Sequence, residues 1–175
     1  MTGPEKLGVL ALAVGTFGAL ALVPRAAWSG LGVPETHAIY GYLSVLPLLA
    51  WLRRTHRLRA ERACVAVFLT SMPLVYVGAA LRTGAPPWVE LAGFALFLVI
   101  AAAGALRWHW LLAAGVAAHG LAWDLWHAHG LVVQPWYAPA CAVIDLALGA
   151  YVATRVPAWR ATAAASCRPA STTTV

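Results

Sequence analysis

The sequence predicts an all-α, polytopic transmembrane bundle of about six helices, and three observations carry that reading. Of its 175 residues 62% are hydrophobic, and the mean hydropathy is +0.75. The apolar residues come in runs of membrane-spanning length, separated by short connections that hold most of the arginines. The nine tryptophans gather near the ends of those runs. A soluble domain of this length has too little interior for so much apolar surface, whereas lipid accepts it on the outside of every helix.

The first span is expected at about residues 7–23, closed by Pro24-Arg25. Its Ala19-Leu20-Ala21 also has the small-x-small form of a signal-peptidase site, so a cleaved leader is the alternative. Residues 24–36 form a Gly- and Pro-bearing connection with Trp28, and Thr36 is placed to cap the second helix, 37–52. That helix runs into the densest charge cluster of the chain, Arg53 to Arg62. The third helix is expected at 63–81 and the fourth at 88–106, joined by a polar turn whose Pro86-Pro87 suits a helix start. The connection Arg107-Trp108-His109-Trp110 is short enough to make helices four and five antiparallel neighbours. Helix five is placed at 108–128 and helix six at 136–154. Residues 1–156 thus form one membrane domain, and the Ala-, Ser-, Thr- and Pro-rich stretch 157–175 is expected to be a disordered cytoplasmic tail.

Six spans with a cytoplasmic N-terminus put ten of the twelve basic residues inside, leaving Arg25 and Arg82 outside, as the positive-inside rule requires. Both termini are then cytoplasmic and the compartment is the plasma membrane. The tryptophans divide between the two interfaces in the same frame: Trp28, Trp88, Trp123, Trp126 and Trp136 outside, Trp51, Trp108, Trp110 and Trp159 inside. The net charge of +6 is spread over these connections and makes no groove-sized patch, so a nucleic-acid partner is set aside in favour of the bilayer. Cys64, Cys141 and Cys167 lack CxxC spacing and suggest neither a disulfide framework nor a zinc knuckle. The eleven-to-one excess of arginine over lysine suggests a GC-rich bacterial genome.

The chemistry concentrates in His119-Gly120-Leu121-Ala122-Trp123-Asp124-Leu125-Trp126-His127-Ala128-His129, three of six histidines and one of six acids in one short stretch. The frame brings other scarce polar residues to the same outer half: Glu35 and His37 opening helix two, Glu90 opening helix four and Asp145 within helix six. On a regular helix Asp124 stands about 140° round from His119, a shared but broad face. His119 and Asp145 come out at depths where they can meet inside the membrane. An ionisable side chain at that depth costs at least about 2.5 kcal/mol and is a functional candidate with a partner. Imidazole and carboxylate are ligands of divalent metals such as zinc, and a working site keeps about three protein ligands and one open position. The expected ligands are His127, His129, Asp124 and His37, with His119, Asp124 and Asp145 in acid–base or supporting roles and Glu35 and Glu90 as further polar candidates. Such an outward-facing site suits a water activated by the ion and aimed at a lipid or small amphiphile. The absence of HExxH and GxSxG leaves no hydrolase signature behind that reading. Haem ligation by His37 and His119 fits less well because their depths differ. A transporter or pH-responsive sensor built on a His/Asp pair is the alternative, and an accessory protein with a structural polar cluster is another. Neither composition nor spacing bears on the oligomeric state.

The order His119-Gly120, Trp123-Asp124, His127, then Gln134-Pro135-Trp136-Tyr137 and Asp145 resembles a pattern of small, uncharacterised bacterial polytopic membrane proteins. The resemblance implies membrane placement and brings no activity with it.

Overall fold

A computed structural model describes residues 3–24, 34–130 and 132–166. Six helices and no strand are present among the described residues: α1 (Gly3–Leu22), α2 (Pro34–Arg54), α3 (Leu58–Thr83), α4 (Trp88–Leu106), a composite α5, and α6 (Tyr137–Ser166). The composite helix begins as a regular stretch, Trp110–Ala118, widens into a π-helical turn, His119–Asp124, and closes with Leu125–His127. Four of the six, α1, α3, α4 and α6, are long and apolar enough to cross a membrane. The remaining two are α2, which carries charged residues near both ends, and α5, whose regular stretch before the π-helical turn is only nine residues long.

The helix starts differ from the sequence expectation for physical reasons. Pro34, not Thr36, opens α2, because a proline in the first turn forfeits no intrahelical hydrogen bond. At the other end of α3 the chain stops at Gly84, whose φ of 74° is the left-handed conformation of a helix C-cap. There the Gly84 and Ala85 N–H groups donate to the carbonyls of Leu81 and Ala80. The sixth helix is longer than expected, running past Thr154 through Ser166, so the part of the stretch 157–175 that is described is helical. Arg155 explains the extension, since its guanidinium is buried in the bundle rather than marking its edge. The rest of that stretch, with Cys167, and the connection holding Arg25 and Trp28 lie outside the described residues.

α6 is the axis of the bundle, packed against α1, α5 and α3, while α3 also packs on α2 and α4, and α4 on α5. Small residues set these approaches. A Cβ on Gly15 of α1 would collide with the Ala147 Cβ, and one on Gly149 would come within 3.2 Å of Ala117 on α5. Two apolar cores result. One, around Leu69, Leu112, Leu148 and Val152, lies towards the end that carries the N-terminus of α1; the other, around Ile39, Tyr76, Tyr137 and Ile144, lies towards the opposite end.

Each core is closed by ion pairs that the charge pattern alone conceals. Near the α1 N-terminus, fully buried Glu61 accepts two hydrogen bonds from Arg155 at 2.9 and 3.1 Å. It also accepts from Tyr151 at 3.0 Å and Trp159 at 3.1 Å. Arg155 reaches on to Glu5 at 2.6 Å, and Arg53 stands 3.5 Å from the same carboxylate. Trp159 is therefore a core residue and not part of an interfacial belt, whereas Trp51, Trp88, Trp108, Trp110 and Trp126 are exposed. At the opposite end buried Glu35 takes both arms of Arg82, at 2.7 and 2.9 Å, and the Gln134 N–H at 3.3 Å. That fork ties the α2 start and the α3 end to the connection before α6.

Candidate metal centre

The wide turn of α5 builds the site. On a regular helix two residues five apart stand about 140° from one another. In a π-helical turn, where bonding runs from i to i+5, they come to the same side. His119 and Asp124 open and close that turn, and the His119 Nδ1 lies 3.4 Å from an Asp124 oxygen. Directly beneath them, Gly120 lets α6 approach: a Cβ there would meet the Asp145 Cβ at 2.8 Å and the Ala142 carbonyl at 3.0 Å. Asp145 thereby reaches His119, with 2.7 Å between Nδ1 and Oδ2.

Three side chains from two helices thus form one group, each able to present a ligand atom within 4.8 Å of the others, and this group could hold a metal ion. All three are buried, with His119 at 1%, Asp124 at 0% and Asp145 at 2% exposure. Tyr76 of α3 donates to Asp124 Oδ1 at 2.6 Å. Phe97 of α4 stands edge-on to the imidazole, with ring centres 4.9 Å apart. The second oxygen of Asp124 and the His119 Nε2 are buried and have no hydrogen-bond partner. Burying such groups unmet costs about 1–3 kcal/mol each, which marks the cluster as incomplete by itself.

The other expected residues separate from this group. His127 is buried beside it, but its Nδ1–H donates to the Trp123 carbonyl at 2.8 Å and its Nε2 faces Glu90 at 3.6 Å. Its ring lies tilted against Tyr76 at a centre separation of 4.2 Å, so it forms part of the wall above the cluster. His129 lies beyond the last helical turn of α5 and is exposed. His37 is exposed as well, because α2 turns Glu35, Thr36 and Ile39 inward. Of the ligand set read from sequence, His127, His129, Asp124 and His37, only Asp124 sits in the compact group. Its companions are His119 and Asp145, the pair expected one layer deeper. Glu35 is taken up by Arg82. Glu90 keeps one buried oxygen without a partner and belongs to the His127 wall. Nor does the site face outward as an open mouth: Tyr76, Tyr137 and His127 are all buried around it.

Sequence inspection misses Tyr76 as a site residue, since a lone tyrosine in an apolar run carries no spacing signal. The same holds for the Glu61–Arg155 pair, which joins residues 94 positions apart. Comparison of the chain with protein-family models, with curated proteins and with solved structures yields no match, so the functional reading rests on the geometry of its own residues.

Proposed function

We propose that this is an integral plasma-membrane protein, with both ends cytoplasmic, that binds a divalent metal ion such as zinc at His119, Asp124 and Asp145 and acts on a lipid or small amphiphile. The observation that carries the reading is the convergence of one imidazole and two carboxylates, all buried, with ligand atoms within 4.8 Å of one another. Charge supports it. Two carboxylates and a neutral imidazole balance a divalent cation, and a neutral centre avoids the heavy cost of net charge inside a bundle surrounded by hydrocarbon. Neither the buried Arg155 nor the exposed Arg82 can supply that balance, because Arg155 is engaged by Glu61 and Arg82 by Glu35. Three protein ligands also leave a coordination position for a further molecule.

Elemental analysis of the detergent-purified protein for zinc, iron, manganese and copper tests the reading. Near-stoichiometric metal is expected in the wild type and in His129→Ala, and its loss in His119→Ala and Asp145→Asn. Wild-type protein that stays metal-free after reconstitution overturns it. The second reading is a proton-responsive carrier or sensor, favoured by the Tyr76–Asp124 and His119–Asp145 hydrogen bonds, which protons alone can maintain.

A further inference from the structure

A cavity of about 220 Å³ adjoins the His/Asp group on the side away from α4. It lies between α2, α3 and α6; its walls are mostly apolar, with Phe68, Met72 and Ile144 among them, and His119 and Asp145 supply its polar end. Its rim includes Gly41 of α2 and Ser71 of α3, both exposed. At ~1.5 Å per residue Gly41 stands about 10 Å along α2 from Pro34, and Ser71 about 18 Å back along α3 from Thr83. Those two helix ends are held at one level by the Glu35–Arg82 fork. The opening is therefore lateral, at a depth where a spanning bundle meets acyl chains and not water. Each flanking helix carries an interior proline, Pro47 or Pro73, which removes one backbone hydrogen bond near the opening.

We propose that this cavity admits, sideways from the bilayer, the head and first carbons of a neutral, hydroxyl-headed single-chain amphiphile, and presents the hydroxyl to His119 and Asp145. This rests on reading His119, Asp124 and Asp145 as a working centre. Size selects a single chain: an apolar cavity of about 150 Å³ accepts a benzene-sized molecule, so this one takes a head and a few carbons while the rest of the chain stays in lipid. Charge selects the head. The site already holds two carboxylates, and a third anion would bring an unbalanced charge into the hydrocarbon interior with or without a bound cation. A hydroxyl both donates and accepts, so it can meet the unpartnered Nε2 of His119 in either protonation state.

A diazirine-bearing long-chain alcohol, photolysed with the full chain in phospholipid vesicles and mapped by peptide mass spectrometry, tests this. Adducts are expected on the segments around Gly41, Ser71 and Ile144, to fall at least fivefold with excess unlabelled decanol, and to fall far less with the ionised fatty acid of equal length. Ser71→Trp at the rim is expected to remove them. Gly41→Phe is the second variant, because a Cβ at Gly41 meets nothing within 4 Å and the fold has room for it. Adducts spread over α1 and α4 without competition overturn the proposal, and equal competition by the fatty acid overturns the choice of head. Metal content is read on the same samples. Loss of labelling at the cavity in metal-replete protein counts against the portal alone, and competed labelling in a protein that never holds metal counts against the metal centre alone.

Discussion

At the scale of single residues, the decisive feature is how few charges are buried and how completely most of them are met. Glu61 is fully buried and accepts from three side chains, so its carboxylate holds α3 against α6. Glu61→Gln removes the charge that Arg155 faces and leaves the guanidinium to Glu5 alone. Breaking one partner of a buried pair costs about 3–5 kcal/mol. Denaturant or thermal unfolding in detergent should show a loss of that order, with metal content per folded molecule unchanged. A variant as stable as the wild type would remove Glu61 from the account of what closes the bundle. His119 and Asp145 were readable as scarce, deep polar residues, and Asp124 as a scarce acid nearer the outer end of its helix, because any ionisable group in an apolar span stands out. What could not be read was which of the nearby histidines join them. His127 and His129 share the stretch with Asp124, yet one turns to Glu90 and the other lies past the helix end.

At the scale of elements, α5 carries the lesson. Regular helical rotation leaves His119 and Asp124 on a broad face, and the π-helical turn makes them neighbours. Gly120, inside that turn, then sets the distance to α6. Gly120→Val should force the two helices apart, because its Cβ would meet the Asp145 Cβ at 2.8 Å and a backbone carbonyl at 3.0 Å. Overpacking of this kind costs about 1–3 kcal/mol. Metal should be lost with it, while Gly78→Val, where a Cβ meets nothing within 4 Å, should keep both stability and metal. Retention of metal by Gly120→Val would show that the α5–α6 approach does not build the centre. Periodicity locates a helix but not a local widening of its turn, since the extra residue is absorbed without any change in composition.

At the scale of the molecule, α1 and α6 bring the first and last described helices together, with Glu5 and Arg155 in contact at one end. The start of α1 and the end of α6 therefore lie on one side of the described bundle, the side proposed above to be cytoplasmic. Reporter fusions that are active only in the cytoplasm should give equal signals at the two termini and none in the connection at residues 84–87. A signal on that connection, or at one terminus alone, would overturn the proposed orientation. Of the four helices that are long and apolar enough to span, α1, α3 and α4 carry exposed apolar side chains on their outer faces, whereas α6 is the buried axis. α2 and α3 supply the cavity rim at Gly41 and Ser71, and α5 supplies the two wide-turn residues of the candidate centre.

The sequence by itself determined that the chain is an all-helical bundle, roughly where its helices lie, and that an ionisable residue deep in a span needs a partner. These follow from one dominant energy, the transfer of apolar side chains and backbone into lipid, which every residue of a span reports additively. Only the tertiary structure decided that α6 is the axis, that Asp145 meets His119, that Tyr76 donates to Asp124 and that the cavity opens between α2 and α3. Those outcomes depend on close approaches at Gly15, Gly120 and Gly149, on a single widened turn, and on pairs nearly a hundred residues apart. Such contacts are set by shape across helices, and no local pattern along the chain records them.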